Sequence, residues 1–243
     1  MSLPVLPKAS FTHKNEWLKT PVKLYPFTCG QESILLQVKD SKDKHEKLNA
    51  IKQVLSECVD GINPGALPLF QVENLFLRLR EKSAGETLQL TYVCANEVEL
   101  PEGEDGEMVT RECRTPIHIN LDLQKVVLKQ EGVHNLTFQV SEGIGLKMRY
   151  PTLDSTLESD DSQDLVLSCI ESVFDEENVY PAAEQTKEEL ERFYKSIPLS
   201  VKKRITTEFF QSMPSLQYTI NAVCPKCGYK HTQEVDSLNG IFT

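Results

Sequence analysis

Apolar positions along this chain change period several times, and each change marks an expected element. Val22 and Leu24 alternate with polar neighbours and predict a short strand, which Pro26 ends. From Gln31 the run QESILLQVKDSKDKHEKLNAIKQVLSECV has helical spacing, and the charged stretch 39–47 divides it into two helices. In the second, Leu48, Ile51, Val54, Leu55 and Cys58 recur at three and four residues and share one face. DGINPGAL is turn chemistry. The next run, LPLFQVENLFLRLREKSAGE, predicts a helix with Leu69, Val72, Phe76 and Leu79 on its apolar stripe. Pro68 suits its start and Gly85 its end. Arg78, Arg80 and Lys82 fall in the last turns, where cations suit the helix dipole and a solvated basic end is expected.

After Gly85 the period drops to two. TLQLTYVC and TPIHINLDL predict strands, and the acidic insert 97–112 between them predicts a solvated loop, because like charges repel. KVVLKQ, LTFQVSE and GLKMRYPT continue as short strands. TLDSTLESDDSQD is polar enough for a linker, and LVLSCIESVFD predicts a short helix. Two more helices follow in TKEELERFYKSIPLSVKKRITTEFFQSMP. Thr186 and Glu189 form a capping box at the first, and Pro198 opens the second. Val201, Ile205 and Phe209 share one face of that second helix, and the chain closes with two strands and the apolar tail LNGIFT.

This order describes an α+β protein: helical segments, antiparallel strands and a zinc-ribbon-like C-terminal hairpin. Its segments are 1–153 (helices and strands), 154–185 (linker and short helix) and 186–243 (helices and the cysteine hairpin), with the last packing back to make one domain. The formal net charge of −10 disfavours a general binder of phosphate backbones. No signal peptide and no apolar run of membrane-spanning length are visible, so a soluble intracellular chain is expected. In that setting seven cysteines point to free thiols or a metal site rather than a disulfide framework.

The two cysteine-bearing hairpins echo each other. Cys94 and Cys224 each close a strand, and Cys113 and Cys227 each open the next. Cys224-Pro-Lys-Cys227-Gly has the spacing of a zinc knuckle, whereas 18 residues lie between Cys94 and Cys113. An enlarged loop still leaves both sulfurs at a hairpin neck, so Cys94, Cys113, Cys224 and Cys227 form a candidate structural zinc site. In one variant of it His231 replaces a cysteine. Four protein ligands leave no open position, which makes such a site structural. Cys29, Cys58 and Cys169 lie in apolar helical surroundings and are expected in the core. His118 alternates with Ile117 and Ile119 and faces the polar side of a strand or a half-buried edge, a packing role. No phosphate loop, nucleophile elbow, His-Glu-x-x-His or deaminase motif occurs, so no catalytic residue or further cofactor is assigned.

VKLYPFTCGQESILLQV, NAIKQVLSECV, LPLFQVENLFLRLREKSAGETLQLTYVC, TPIHINLDL and FFQSMPSLQYTINAVCPKCGYKHTQEVDSLNGIF occur in that sequence. Together they resemble the baseplate hub family of contractile-tailed, T-even-type bacteriophages. The resemblance implies a non-enzymatic hub subunit or hub assembly factor whose partners are other phage hub and tail proteins. It implies assembly in the host cytoplasm and a place in the virion tail baseplate, and it transfers no site residues. Leu238, Ile241 and Phe242 offer an apolar anchor for a partner or for the chain's own domain. The first rival is a zinc-ribbon nucleic-acid-binding regulator, drawing on Cys224, Cys227 and the basic triplet Lys202, Lys203 and Arg204. A metalloenzyme ranks last, since neither an open metal position nor a general base is visible.

Overall fold

The structure is a computed structural model that describes residues 4, 6–102, 107–159 and 161–235. In chain order, β1 (Phe11–His13) and β2 (Val22–Leu24) precede α1 (Cys29–Val38), α2 (Lys44–Cys58), β3 (Val59–Asp60) and α3 (Leu69–Ala84). Then come β4 (Thr87–Val93), β5 (Glu97–Glu102), β6 (Glu107–Glu112), β7 (Pro116–Asp122), β8 (Val127–Lys129), β9 (Thr137–Ser141) and β10 (Ile144–Met148). The remainder is α4 (Leu153–Glu158), α5 (Ser162–Ser168), β11 (Ile170–Phe174), β12 (Val179–Pro181), α6 (Lys187–Ser196), α7 (Leu199–Ile205), β13 (Ser215–Val223) and β14 (Lys230–Val235). The sheets are antiparallel and mix with helices throughout, so the fold is α+β. No described helix is long and apolar enough to cross a membrane.

The chain forms two compact units, each assembled from two stretches of sequence. One comprises residues up to Leu79 together with Leu128–Ser215; the other comprises Arg80–Val127 and the chain from Leu216. In the first unit the helices start where side chains replace missing backbone partners. Thr28 and Gln31 cap α1 reciprocally, Asp43 caps α2, and Thr186 with Glu189 caps α6 as its sequence predicts. α2 buries Ala50, Ile51, Val54, Leu55 and Cys58, each large side chain contributing about 1.5–3 kcal/mol of transfer free energy. Leu48 is only half-buried.

α3 is buried on more than one stripe: Phe70, Val72, Leu75, Phe76, Leu77 and Leu79 are all inside, together with the polar Gln71 and Asn74. Asn15 bonds to both amides. It exchanges hydrogen bonds of 2.9 Å with Gln71, and its Nδ2 donates to Asn74 Oδ1 at 3.0 Å. His13 Nε2 lies 2.9 Å from the same Asn74 oxygen. The N-terminal segment is thereby fastened to the helix by polar groups that would be costly to leave buried and unmatched.

A second core in the same unit lies on the sheet ordered β12-β11-β10-β9. Phe138, Leu146, Met148 and Ile170 from the strands meet Ile197, Val201, Ile205 and Phe209 from the last helices. The stripe on α7 therefore works as its spacing predicts, and it extends through a wide π turn, 206–210, that brings Phe209 fully inside. Gly145 has no side chain because the ring of Phe174 occupies the space a Cβ would need.

Several expectations need correction. The polar stretch after Thr152 is not a plain linker: Thr152 and Asp161 cap two short helices, α4 and α5. LVLSCIESVFD is helical only as far as Ser168, because Ile170 and Val173 carry β-branched side chains and pair with β10. The acidic insert is not a loop but the strand pair β5–β6, in register from Glu97 opposite Glu112 to Glu102 opposite Glu107. Cys29 is exposed on α1, a helix with no buried residues, whereas Cys58 and Cys169 are in the core. Arg78 and Arg80 are half-buried; of the expected basic helix end, Lys82 stands in solvent and pairs with Glu81 at 2.9 Å. The apolar tail 238–242 lies outside the described residues.

Candidate metal centre

The second unit contains three antiparallel hairpins: β4–β7, β5–β6 and β13–β14. Cys94 follows β4 and Cys113 precedes β7; Cys224 follows β13 and Cys227 precedes β14. The chain makes the same turn at both places. The Cys94 amide donates to the Thr115 carbonyl at 2.9 Å, and the Cys224 amide donates to the Tyr229 carbonyl at 2.9 Å. The Arg114 amide returns to the Cys94 carbonyl at 2.9 Å, as the Gly228 amide does to the Cys224 carbonyl at 2.9 Å.

Each second cysteine is followed by a residue with left-handed backbone: Arg114 at φ 52° and Gly228 at φ 73°. Arg114 is the one described non-glycine residue with positive φ. The two knuckles thus correspond residue by residue. Where one has Pro225 and Lys226, the other carries the whole β5–β6 hairpin, closed at its neck by the Cys113 amide donating to the Asn96 carbonyl at 2.8 Å. The long spacing does not separate the sulfurs, because the inserted residues pair with one another.

All four sulfurs come together. Their Sγ atoms lie within 4.8 Å of one another, with Cys94 to Cys227 and Cys113 to Cys224 each at 3.7 Å. A tetrahedral zinc–thiolate site with bonds of about 2.3 Å has sulfur–sulfur edges of about 3.8 Å, whereas a disulfide needs about 2.05 Å. The donor set therefore fits a soft to borderline-soft tetrahedral ion held by Cys94, Cys113, Cys224 and Cys227. Cys94, Cys113 and Cys224 are buried, and Val98, Ile117, Ile119 and Tyr92 pack around them.

Donors surround the sulfurs. The Cys227 amide, foremost, draws the Cys224 thiol down to about 6, and the Thr115 hydroxyl at 3.2 Å lowers Cys113. Burial pushes the Cys94 thiol up to about 12. His231 does not replace a cysteine in the cluster; its Nε2 lies 3.2 Å from Cys94 Sγ. Asn96 Nδ2 donates to Cys227 Sγ at 3.7 Å. Spacing rules for zinc ligands do not reveal Asn96 and Thr115. The available signal is their place two residues after Cys94 and Cys113, within matching turns.

Other candidates in the sequence lead away from this centre. His118 points to the solvent side of β7 and meets Thr91 Oγ1 at 3.2 Å. In the basic triplet, which belongs to the first unit, Arg204 pairs with Glu208 at 3.1 Å and Lys202 lies over the Tyr194 ring at 5.8 Å.

Comparison with curated proteins and with solved structures gave no match. The sequence model of one family, described as "T4 bacteriophage base plate protein", matches residues 7–243. That span takes in both units and both cysteine knuckles, and the chain belongs to the T4 bacteriophage base plate protein family.

Proposed function

We propose that this protein is a component of the phage tail baseplate hub, or a factor that assembles it, and that it works through protein contacts without catalysis. Family membership over 7–243 carries the reading, since a baseplate protein acts among other tail proteins. The most organised chemistry among the described residues supports it. Four cysteine sulfurs converge in a closed, largely buried arrangement, which suits one structural zinc ion and offers it no open coordination position for a substrate. Zinc there would tie the C-terminal hairpin to the β4–β7 hairpin within the second unit. The protein would be made and assembled in the host cytoplasm and then either enter the tail baseplate or leave it before maturation.

Quantitative peptide mass spectrometry on purified particles and on infected-cell lysate tests the role. Stoichiometric peptides in the particle identify a hub subunit. Peptides abundant in lysate and missing from particles identify an assembly factor. If the protein also fails to co-purify with any hub component on co-expression, the hub reading is wrong.

A further inference from the structure

The four sulfurs are not equally protected. Beside the cluster, within the second unit, is a recess of about 360 Å³ lined by Ala95, Asn96, Glu97, Tyr229 and His231. Two of these residues bring side-chain nitrogens to the sulfurs: His231 Nε2 lies 3.2 Å from Cys94 Sγ, and Asn96 Nδ2 donates to Cys227 Sγ at 3.7 Å. His231 is itself buried, at 9% exposure, and is held edge-on by two tyrosine rings. Its ring centroid is 5.1 Å from Tyr92 and 4.8 Å from Tyr229. A thiolate ligand can only accept hydrogen bonds, so an Nε2 atom 3.2 Å from Cys94 Sγ must carry the proton in a metal-bound centre. Cys113 has its donor, Thr115, outside that recess.

Resting on the zinc reading above, we propose that His231 is the positioning residue of the metal centre: it holds Cys94 Sγ in place and closes the recess-facing side, so that metal leaves by that side when His231 is lost. Groups that donate to metal ligands usually fix ligand orientation, and removing one typically changes metal affinity by about 10–100-fold. The sheet geometry explains why this residue does it. His231 sits opposite Ala222 on β13–β14, and the small alanine leaves room for the imidazole to lie inward toward Cys94.

The test uses the full chain loaded with Co²⁺ for its thiolate-to-metal absorption, and with Zn²⁺ for release to a competing chelator. His231→Phe keeps an aromatic ring and removes the donor; His231→Gln restores an N–H. Expected is one metal per chain with the spectrum of a four-thiolate site in the wild type. His231→Phe should release zinc about 10–100-fold faster with a shifted charge-transfer band. His231→Gln should recover most of the wild-type behaviour, and Thr115→Val should leave release much closer to wild type than His231→Phe does. Wild-type release rate and spectrum in a folded His231→Phe protein would overturn the proposal and leave the zinc site standing. So would a misfolded His231→Phe protein accompanied by a His231→Gln protein that releases metal as fast as Cys94→Ser, in which the thiolate itself is gone. Absence of stoichiometric metal in the wild type would overturn the zinc reading itself, and this proposal with it.

Discussion

At the scale of single residues, the sharpest departures from ordinary surface chemistry are groups held against solvent. Glu73 lies on α3 among the buried side chains of the first unit. Burial raises its carboxyl to about 7, with the Lys44 ammonium opposing the rise. An unfolded glutamate titrates near about 4.3, so between that pH and about 7 the folded chain holds a proton that the unfolded chain has released. Stability from this group is complete below about pH 4.3, falls progressively as pH rises toward the folded value of about 7, and is lost above it, by up to about 3 kcal/mol. Glu73→Gln should therefore unfold at nearly the wild-type urea concentration at about pH 4 and at a distinctly higher one than wild type at about pH 8. Equal pH dependence in the two proteins would show that Glu73 is solvated in the folded state. The helical period makes the position of Glu73 beside an apolar stripe legible, but not its desolvation. That depends on neighbours from elsewhere in the chain, as does the buried Asn15–Gln71–Asn74 cluster.

Elements were legible where one local signal governed them. The α2 stripe, the Thr186–Glu189 cap and the strands around the cysteines all follow from spacing within a few residues. The acidic insert shows where two local signals compete. Glu97-Val98-Glu99-Leu100 alternates as a strand should, but its charge suggests a solvated loop. Pairing prevails because its neck is fixed at Cys94 and Cys113 and Val98 packs against the cysteine cluster. The same neck makes a prediction about the two knuckles. Gly228 and Arg114 occupy equivalent left-handed positions, at φ 73° and 52°, and such backbone costs a residue with a Cβ about 1 kcal/mol or more. Gly228→Ala should lower the unfolding free energy by roughly that amount, whereas Arg114→Gly should maintain or raise it. Denaturant titration of the two variants distinguishes this from a role for the exposed Arg114 side chain, whose removal would then be destabilising.

For the molecule as a whole, the division of the chain decides what a metal bound at the cysteine cluster would do. The four clustered cysteines belong entirely to the second unit, and the large aromatic-rich core of Phe138, Met148, Ile170 and Phe209 belongs entirely to the first. The second unit has a thinner apolar store: Leu88, Ile117, Leu121, Leu123, Val126, Leu216 and Ile220 are its main buried aliphatic side chains. Below about 80 residues such a core usually needs a staple, and the proposed zinc would supply one by binding the folded chain far more tightly than the unfolded one. Removing the metal should therefore act on one unit. Hydrogen exchange followed by peptide mass spectrometry, with and without a strong chelator, should show amide protection collapsing across Thr87–Val93, Pro116–Asp122 and Ser215–Val223. Protection across Thr137–Ser141, Ile144–Met148 and Ile170–Phe174 should persist. Uniform loss in both regions would mean that the units share one cooperative transition. No loss in either would mean that no metal at the sulfur cluster contributes to stability. Loss confined to the second unit would show that metal at the four sulfurs orders the C-terminal hairpin while the core of the first unit holds by itself.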